Sequence, residues 1–550
     1  MCLNAIFRLC KIFSVICNSK FSRPKNRASA SCYDGTGAAP YIADVGLRDG
    51  RIHEIGNLSE ATAVERLQVS GLAVAPGFVV LHTHSDFTLL ADGRAQSQVH
   101  QGVTTEVVGQ CGFSCAPVTC DADISEACVG YVECGVELGW RSFGDYLERL
   151  EATALGVNVA ACVGHGTIHR AVLGDALRAP HPHEIELMVR LADEAFEQGA
   201  AGFTTGLECW PGSLSGIEHI APICETAARH DRLYATHVRN RDIYYDHGFG
   251  EAIATARAAG ARLQISHIQP KFGAPPHAME HTLEIIEAAR HRDLDVAFDV
   301  IPHDWAHTLV TSILPRWALA GGAGALLDRL VDPAQREAMK FNPLPHWRIV
   351  GAGHWHEIKL LHSDANPSLV GATFAEIARD RGTDPYDVVL DLLLEEGENL
   401  NHPKWTSHTF SDKDIKLCLQ QPECAVISDT TALAPDGPLK DRIGSLSGYG
   451  WAARFLGKYV RDEAVLNLPE GIRKLTSLPA ARVGLTDRGV LGRGKMADIV
   501  VFDAEQIASP STVREPRRYA SGIAHVLVNG QIVMRNGERL DVNPGQVLRQ

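Results

Sequence analysis

The chain has 550 residues, 45% of them hydrophobic and 21% charged, and a formal net charge of −14. That length can bury one large domain plus a smaller one, and the composition is that of an ordinary globular protein. The acidic balance argues against nucleic acid or an anionic membrane as partner, and fourteen Cys in so long a chain suggest a reducing compartment, not a disulfide scaffold.

Residues 1–33 stand apart as an extension. The first 32 carry six Lys/Arg, four Cys and no acid, and end in a Ser-rich stretch. They read either as an organelle-targeting peptide or as a disordered extension of a cytoplasmic protein. Their apolar patches are too short and interrupted for a transmembrane helix. From residue 34 the texture turns to β. "ADVGLRDGRIHEIG" (43–56) is two short strands around an Asp-Gly turn. "ADIVVFDAEQI" (497–507) and "IAHVLVNGQIVMRNGERL" (523–540) repeat that texture around Asn-Gly turns. Residues 34–75 and 487–550 are therefore expected to meet in one small β domain.

Residues 76–486 alternate short apolar runs with helical stretches, the signature of βα units and a parallel sheet. The runs are "GFVVLH" (77–82), "TTEVVG" (104–109), "VNVAACVG" (157–164), "AAGFTT" (200–205), "RLYAT" (232–236), "RLQIS" (262–266), "LDVAFDV" (294–300) and "CAVIS" (424–428). Eight such runs close a (β/α)8 TIM barrel. Over a hundred residues separate the seventh from the eighth, too many for one helix and loop. An inserted subdomain is expected around 303–370, followed by a helix such as "FAEIARD" (374–380).

Most runs end in a residue able to do chemistry: His82 and His84, Cys111, His165, His237, His267 and Asp429. In a barrel all these ends share one rim, and strand alternation puts His82 and His84 on one face. A His-x-His pair means little by itself, since 25 His make about one expected by chance. "HPH" (181–183) and "HWH" (354–356) are two more. A lone strand-end His or Cys is more often a core or loop residue than a ligand. The weight lies in their common placement. Thiolate and imidazole donors suit zinc better than magnesium or calcium, and a carboxylate nearby can carry the proton that hydrolysis moves. Asp429 is the candidate for that work.

"LHTHSD", "VVGQCGFSCAP", "YATHVRN", "QISHIQ" and "VISD", in that order, resemble the metal-site motifs of the amidohydrolase superfamily. More narrowly the chain is similar to the D-aminoacylase (N-acyl-D-amino-acid deacylase) family. The similarity extends over nearly everything from residue 34, including "DGTGAAPYIADVGLRDGRI", "GATFAEIARDRGTDPYDVVLDLLLEEG" (371–397) and "LTSLPAARVGLTDRGVLGRGKMADIVVFD" (475–503). Many superfamily members bridge two metals with a carboxylated Lys on strand four, whereas this family has a Cys on strand two, where Cys111 stands. The resemblance implies a tight zinc on Cys111, His237 and His267, a second, weaker position using His82 and His84, and Asp429 as catalytic acid/base. It also implies a β-sandwich built from both termini and an insertion after strand seven.

The departures concern substrate. The family's "GLxYxPG" appears as "GLECWPG" (206–212), with Cys209 in place of a substrate-contacting Tyr. Its "HHK" reads His267-Ile268-Gln269, with a lysine only at Lys271, and its "HPR" has no match beyond Lys440 and Arg442 nearby. Cys209, Lys271 and Arg442 are the candidates for binding a small-molecule amide. A cyclic-amide hydrolase of the hydantoinase kind would need a lysine on strand four, which "GFTTGLE" (202–208) lacks. A non-catalytic interaction protein on this fold would be expected to lose metal ligands, and none is lost.

Overall fold

The computed structural model describes residues 30–119, 136–174, 176, 178–342, 345–440 and 446–550, together with the backbone of 12–16. All eight apolar runs are strands: β1 (Phe78–Val80), β2 (Val103–Val108), β3 (Asn158–Ala161, continued at Val163–Gly164), β4 (Gly202–Gly206), β5 (Leu233–His237), β6 (Leu263–Ile265), β7 (Val296–Val300) and β8 (Cys424–Val426). Only His237, at the end of β5, is less than fully buried among them. Unbroken burial is what a parallel sheet covered on both faces requires of its strands.

Neighbouring strands pair in parallel and in chain order from β1 to β8. The ladders fall into a three-stranded and a six-stranded sheet that share β3, interrupted at Cys162. Between β8 and β1 no ladder forms among the described residues. There His84 N donates to Thr430 O (2.8 Å), Asp429 N to His82 O (3.2 Å) and Ser428 Oγ to His82 O (3.1 Å). Helices Pro182–Glu197, Ile217–Arg229, Tyr245–Ala259 and Ala278–Arg290 follow β3 to β6 in turn. The first shows why: Pro182 opens it, Glu184 caps it, and Met188, Ala192, Ala195 and Phe196 form one buried stripe.

The insertion is larger than the 303–370 expected from sequence. Strands Trp305–Leu309, Ile358–His362 and Lys404–His408 form an antiparallel sheet with the last of them in the middle. Helix Phe374–Arg381 packs into this body through Phe374, Ile377 and Ala378, alongside Trp405 and Leu393. Helical periodicity identifies an apolar face but not which core it meets, so the sequence alone does not set this boundary. Asp412–Leu419 is the helix that returns the chain to β8.

Ala73–Pro76 and Ile499–Phe502 lie side by side in a six-stranded sheet with Ile523–Val528 and Gln531–Arg535. The hairpin Asp44–Arg48/Arg51–Gly56 belongs to a four-stranded sheet, with the backbone of Ile12–Ile16 between Asp44–Arg48 and Glu65–Gln68. Val45, Leu47 and Ile52 pack with Ala497, Ile499 and Leu527, so the two ends of the chain share one apolar cluster. Ala30 and Cys32, inside the expected extension, are part of it. The targeting reading otherwise falls on 1–11 and 17–29, outside the described residues. Among the described residues no helix is long and apolar enough to cross a membrane.

Candidate metal centre

The strand ends bring six of the expected residues together. His82 Nε2 lies 3.3 Å from Cys111 Sγ, which is 3.5 Å from His267 Nε2 and 3.6 Å from His237 Nδ1. Asp429 Oδ1 is 3.2 Å from His82 Nε2 and 3.2 Å from His84 Nε2. One donor atom each from His82, Cys111, His267 and Asp429 fits within a 4.8 Å span. The other two His-x-His motifs go elsewhere. His181 precedes helix Pro182–Glu197, and His354 and His356 lie with Glu357 on the insertion.

The backbone is bent to achieve this. Cys111, His267 and Asp429 all have positive φ (52°, 34° and 46°), a region that non-glycine residues seldom occupy. Three such residues at one site mark positions where the surrounding fold imposes the conformation. Gln110 Nε2 ties the Cys111 loop to Leu81 O (3.1 Å). His267 N donates to Asp299 Oδ1 (2.6 Å), and the buried Arg241 guanidinium donates to His267 O.

The electrostatics suit a cation. Burial, and then the Asp429 carboxylate, push the Cys111 thiol well above its ordinary range. That is the opposite of a reactive free thiol, and a divalent cation is the group that would reverse it. Burial also holds the His267 ring neutral. Burial pushes Asp429 up, but the rings around it, His267 first and then His82 and His84 through hydrogen bonds, keep it well below the usual carboxylate range. The donor set is thus one thiol, one carboxylate and imidazoles, which fits zinc.

The remaining expected residues are placed differently. His165 is buried beside His169 and Phe203, with neither ring nitrogen hydrogen-bonded among the described residues, and burial pushes it down to about 3. It stands outside the donor group. Gln269 is locked to Ile301, its Nε2 donating to the carbonyl (2.8 Å) and its Oε1 accepting from the amide (3.3 Å). Lys271 is buried and its ammonium is paired with Glu208. Cys209 is half-buried, its thiol pushed up to about 11 by burial. Arg442 lies outside the described residues. Glu208 itself escaped the sequence reading: its Oε2 is 2.8 Å from His237 Nε2. Its place directly before Cys209 in "GLECWPG" gives no sign of that contact.

Comparison with known proteins gives the family. A family model described as amidohydrolase family matches residues 429–534. The chain is 33% identical to the D-aminoacylase of Alcaligenes xylosoxydans xylosoxydans, covering 95% of this chain and 96% of that one. The chain belongs to the D-aminoacylase family of amidohydrolases. Its fold matches the crystal structure of D-aminoacylase with a TM-score of 0.78 at 29% identity, over 98% of this chain and 99% of that one. A TM-score of 0.79, again at 29% identity, relates it to the N-acyl-D-glutamate deacylase of Bordetella bronchiseptica, over 98% of this chain and 100% of that one. That enzyme was solved with zinc and a phosphonate mimic of its tetrahedral intermediate. Like its relatives, this D-aminoacylase family member is a hydrolase of carbon–nitrogen bonds other than peptide bonds.

Proposed function

We propose that this chain is a zinc-dependent deacylase of linear amides, of which an N-acyl-D-amino acid or a close relative is the substrate. The observation that carries the reading is the convergence of His82, His84, Cys111 and His267 on one another and on Asp429, with His237 beside Cys111. Cys111, His237 and His267 would hold one zinc tightly, and His82 with His84 would offer a second, weaker position. Zinc bound there supplies Lewis acidity, polarising an amide carbonyl and making water acidic enough to attack near neutral pH. The chain's own part is the proton. Asp429, ionised and oriented by two imidazoles, accepts it from water and releases it to the leaving nitrogen. We also read β1 to β8 as one closed (β/α)8 ring, with a β-sandwich of both termini beside it; the bonds between 82–84 and 428–430 support closure. A cyclic-amide reading is not favoured, because β4 carries no lysine.

Two substitutions separate binding from chemistry. Cys111→Ala removes the one thiolate and should strip the tight zinc. Asp429→Asn keeps the shape but not the proton acceptor. It should keep zinc near wild-type content while turnover falls by at least ~100-fold. Near-normal turnover of Asp429→Asn would place the proton transfer elsewhere, and zinc retained by Cys111→Ala would break the ligand assignment. On the substrate side, Cys209 replaces a Tyr, Gln269 is withdrawn and Lys271 is paired. Losing one such contact to a carboxylate costs about 2–5 kcal/mol. Simple N-acetyl-D-amino acids should therefore turn over more slowly than another linear amide in a substrate panel, and efficient turnover of them would refute this.

A further inference from the structure

Glu208 follows β4 in a buried loop, and both of its carboxylate oxygens are committed. Oε2 is 2.8 Å from His237 Nε2, and Oε1 takes the Lys271 ammonium. The opposite ring nitrogen, His237 Nδ1, is the one 3.6 Å from Cys111 Sγ. The inserted body holds this arrangement from outside. Lys271 Nζ sits 4.5 Å from the centroid of the Trp347 ring, and Arg316 donates to Glu208 O (2.7 Å) and to Ser213 Oγ (2.6 Å). A neutral imidazole carries one N–H. If a carboxylate accepts it at Nε2, Nδ1 is left as a bare lone pair facing the thiol.

We propose that Glu208 is a positioning residue of the metal centre: it fixes the tautomer and orientation of His237, and Lys271 serves as its counter-ion. The proposal rests on reading Cys111, His237 and His267 as a zinc site. Carboxylates that receive the outer N–H of a ligating histidine are worth about 10–100-fold in metal affinity. A buried ion pair with no role at the metal would affect folding instead, whichever partner is removed.

The test measures zinc affinity of the full-length protein by competition with a chelator, and the visible spectrum of the cobalt-substituted protein. Glu208→Ala should weaken zinc about 10–100-fold and alter the cobalt spectrum. Glu208→Gln, whose amide oxygen can still accept from Nε2, should recover most of that affinity. Lys271→Met breaks the same ion pair but leaves the Glu208–His237 bond, so it should lower the melting temperature while zinc affinity stays within about threefold of wild type. Equal affinity in wild type and Glu208→Ala would overturn the proposal, as would equal weakening by Lys271→Met. A wild-type protein that binds no zinc would instead overturn the reading of the site.

Discussion

At the scale of the residue, Glu106 shows what burial beside this site costs. It lies in the middle of β2, fully buried, with Ser85 Oγ donating to one oxygen and the Thr83 hydroxyl beside it. Burial pushes its carboxyl from 4.5 up to about 7. Below about pH 4.5 it is protonated folded and unfolded alike, and has no effect on stability. As pH rises from there, the unfolded chain gives up its proton and the folded one keeps it, so stability falls until about pH 7 and then levels off. The total loss is on the order of 3 kcal/mol. Glu106→Gln removes the titration. Its stability relative to wild type should therefore increase by that amount between about pH 4 and 8 in denaturant titrations. A difference that does not change with pH would show that Glu106 ionises normally in the folded protein.

At the scale of the element, the strand ends do the positioning, and glycine makes one of them possible. Gly109 follows β2 with φ of 80°, and a Cβ there would lie 2.0 Å from Cys162 O, between the two parts of β3. Gly109→Ala has to push the two strands apart two residues before Cys111. The left-handed backbone and the overpacking together should cost about 2–5 kcal/mol. Zinc content should fall with it; wild-type stability and zinc content would show that the Cys111 loop tolerates movement. This is also where the sequence reading reached its limit. The eight runs were legible because a strand buried on both faces is a block of apolar, β-branched residues, as in "TTEVVG" and "LDVAFDV". His82, Cys111, His237, His267 and Asp429 were legible because each closes such a block. Glu208 was not, since nothing in "GLECWPG" says that its side chain turns towards His237. Nor was the extent of the insertion, because the strand "KWTSH" (404–408) is short, polar and paired with segments about 50 and 100 residues upstream.

At the scale of the molecule, the terminal sheets and the barrel strands are joined by a buried polar cluster, which sets how they come apart. Asp498, just before strand Ile499–Phe502, receives Arg488 Nη1, Asn529 N (2.7 Å) and Asn158 Nδ2 from β3 (3.3 Å). Asn529 Nδ2 in turn donates to Asn158 Oδ1 (2.7 Å) and to Pro544 O (2.8 Å). The tail beyond it runs along β3, with Val159 N donating to Gln546 O (2.9 Å) and Leu548 N to Val159 O (2.7 Å). All four side chains in the cluster are buried. Asp498→Ala would leave the Arg488 guanidinium with only the more exposed Asp487 carboxylate, 3.3 Å from its Nε, and removing the buried partner of such a pair costs about 3–5 kcal/mol. The cluster holds barrel, sheet and tail at once, so the loss should lower the melting temperature of the whole molecule rather than fray one end. Protease should then cut at the terminal sheet no earlier than in the barrel. Replacing both charges, Asp498→Leu with Arg488→Met, should be less damaging than Asp498→Ala alone, because no charge is left stranded. If Asp498→Ala melts within a degree or two of wild type, or if only the last sixty residues become protease-sensitive, the terminal sheets are secured by their apolar face alone.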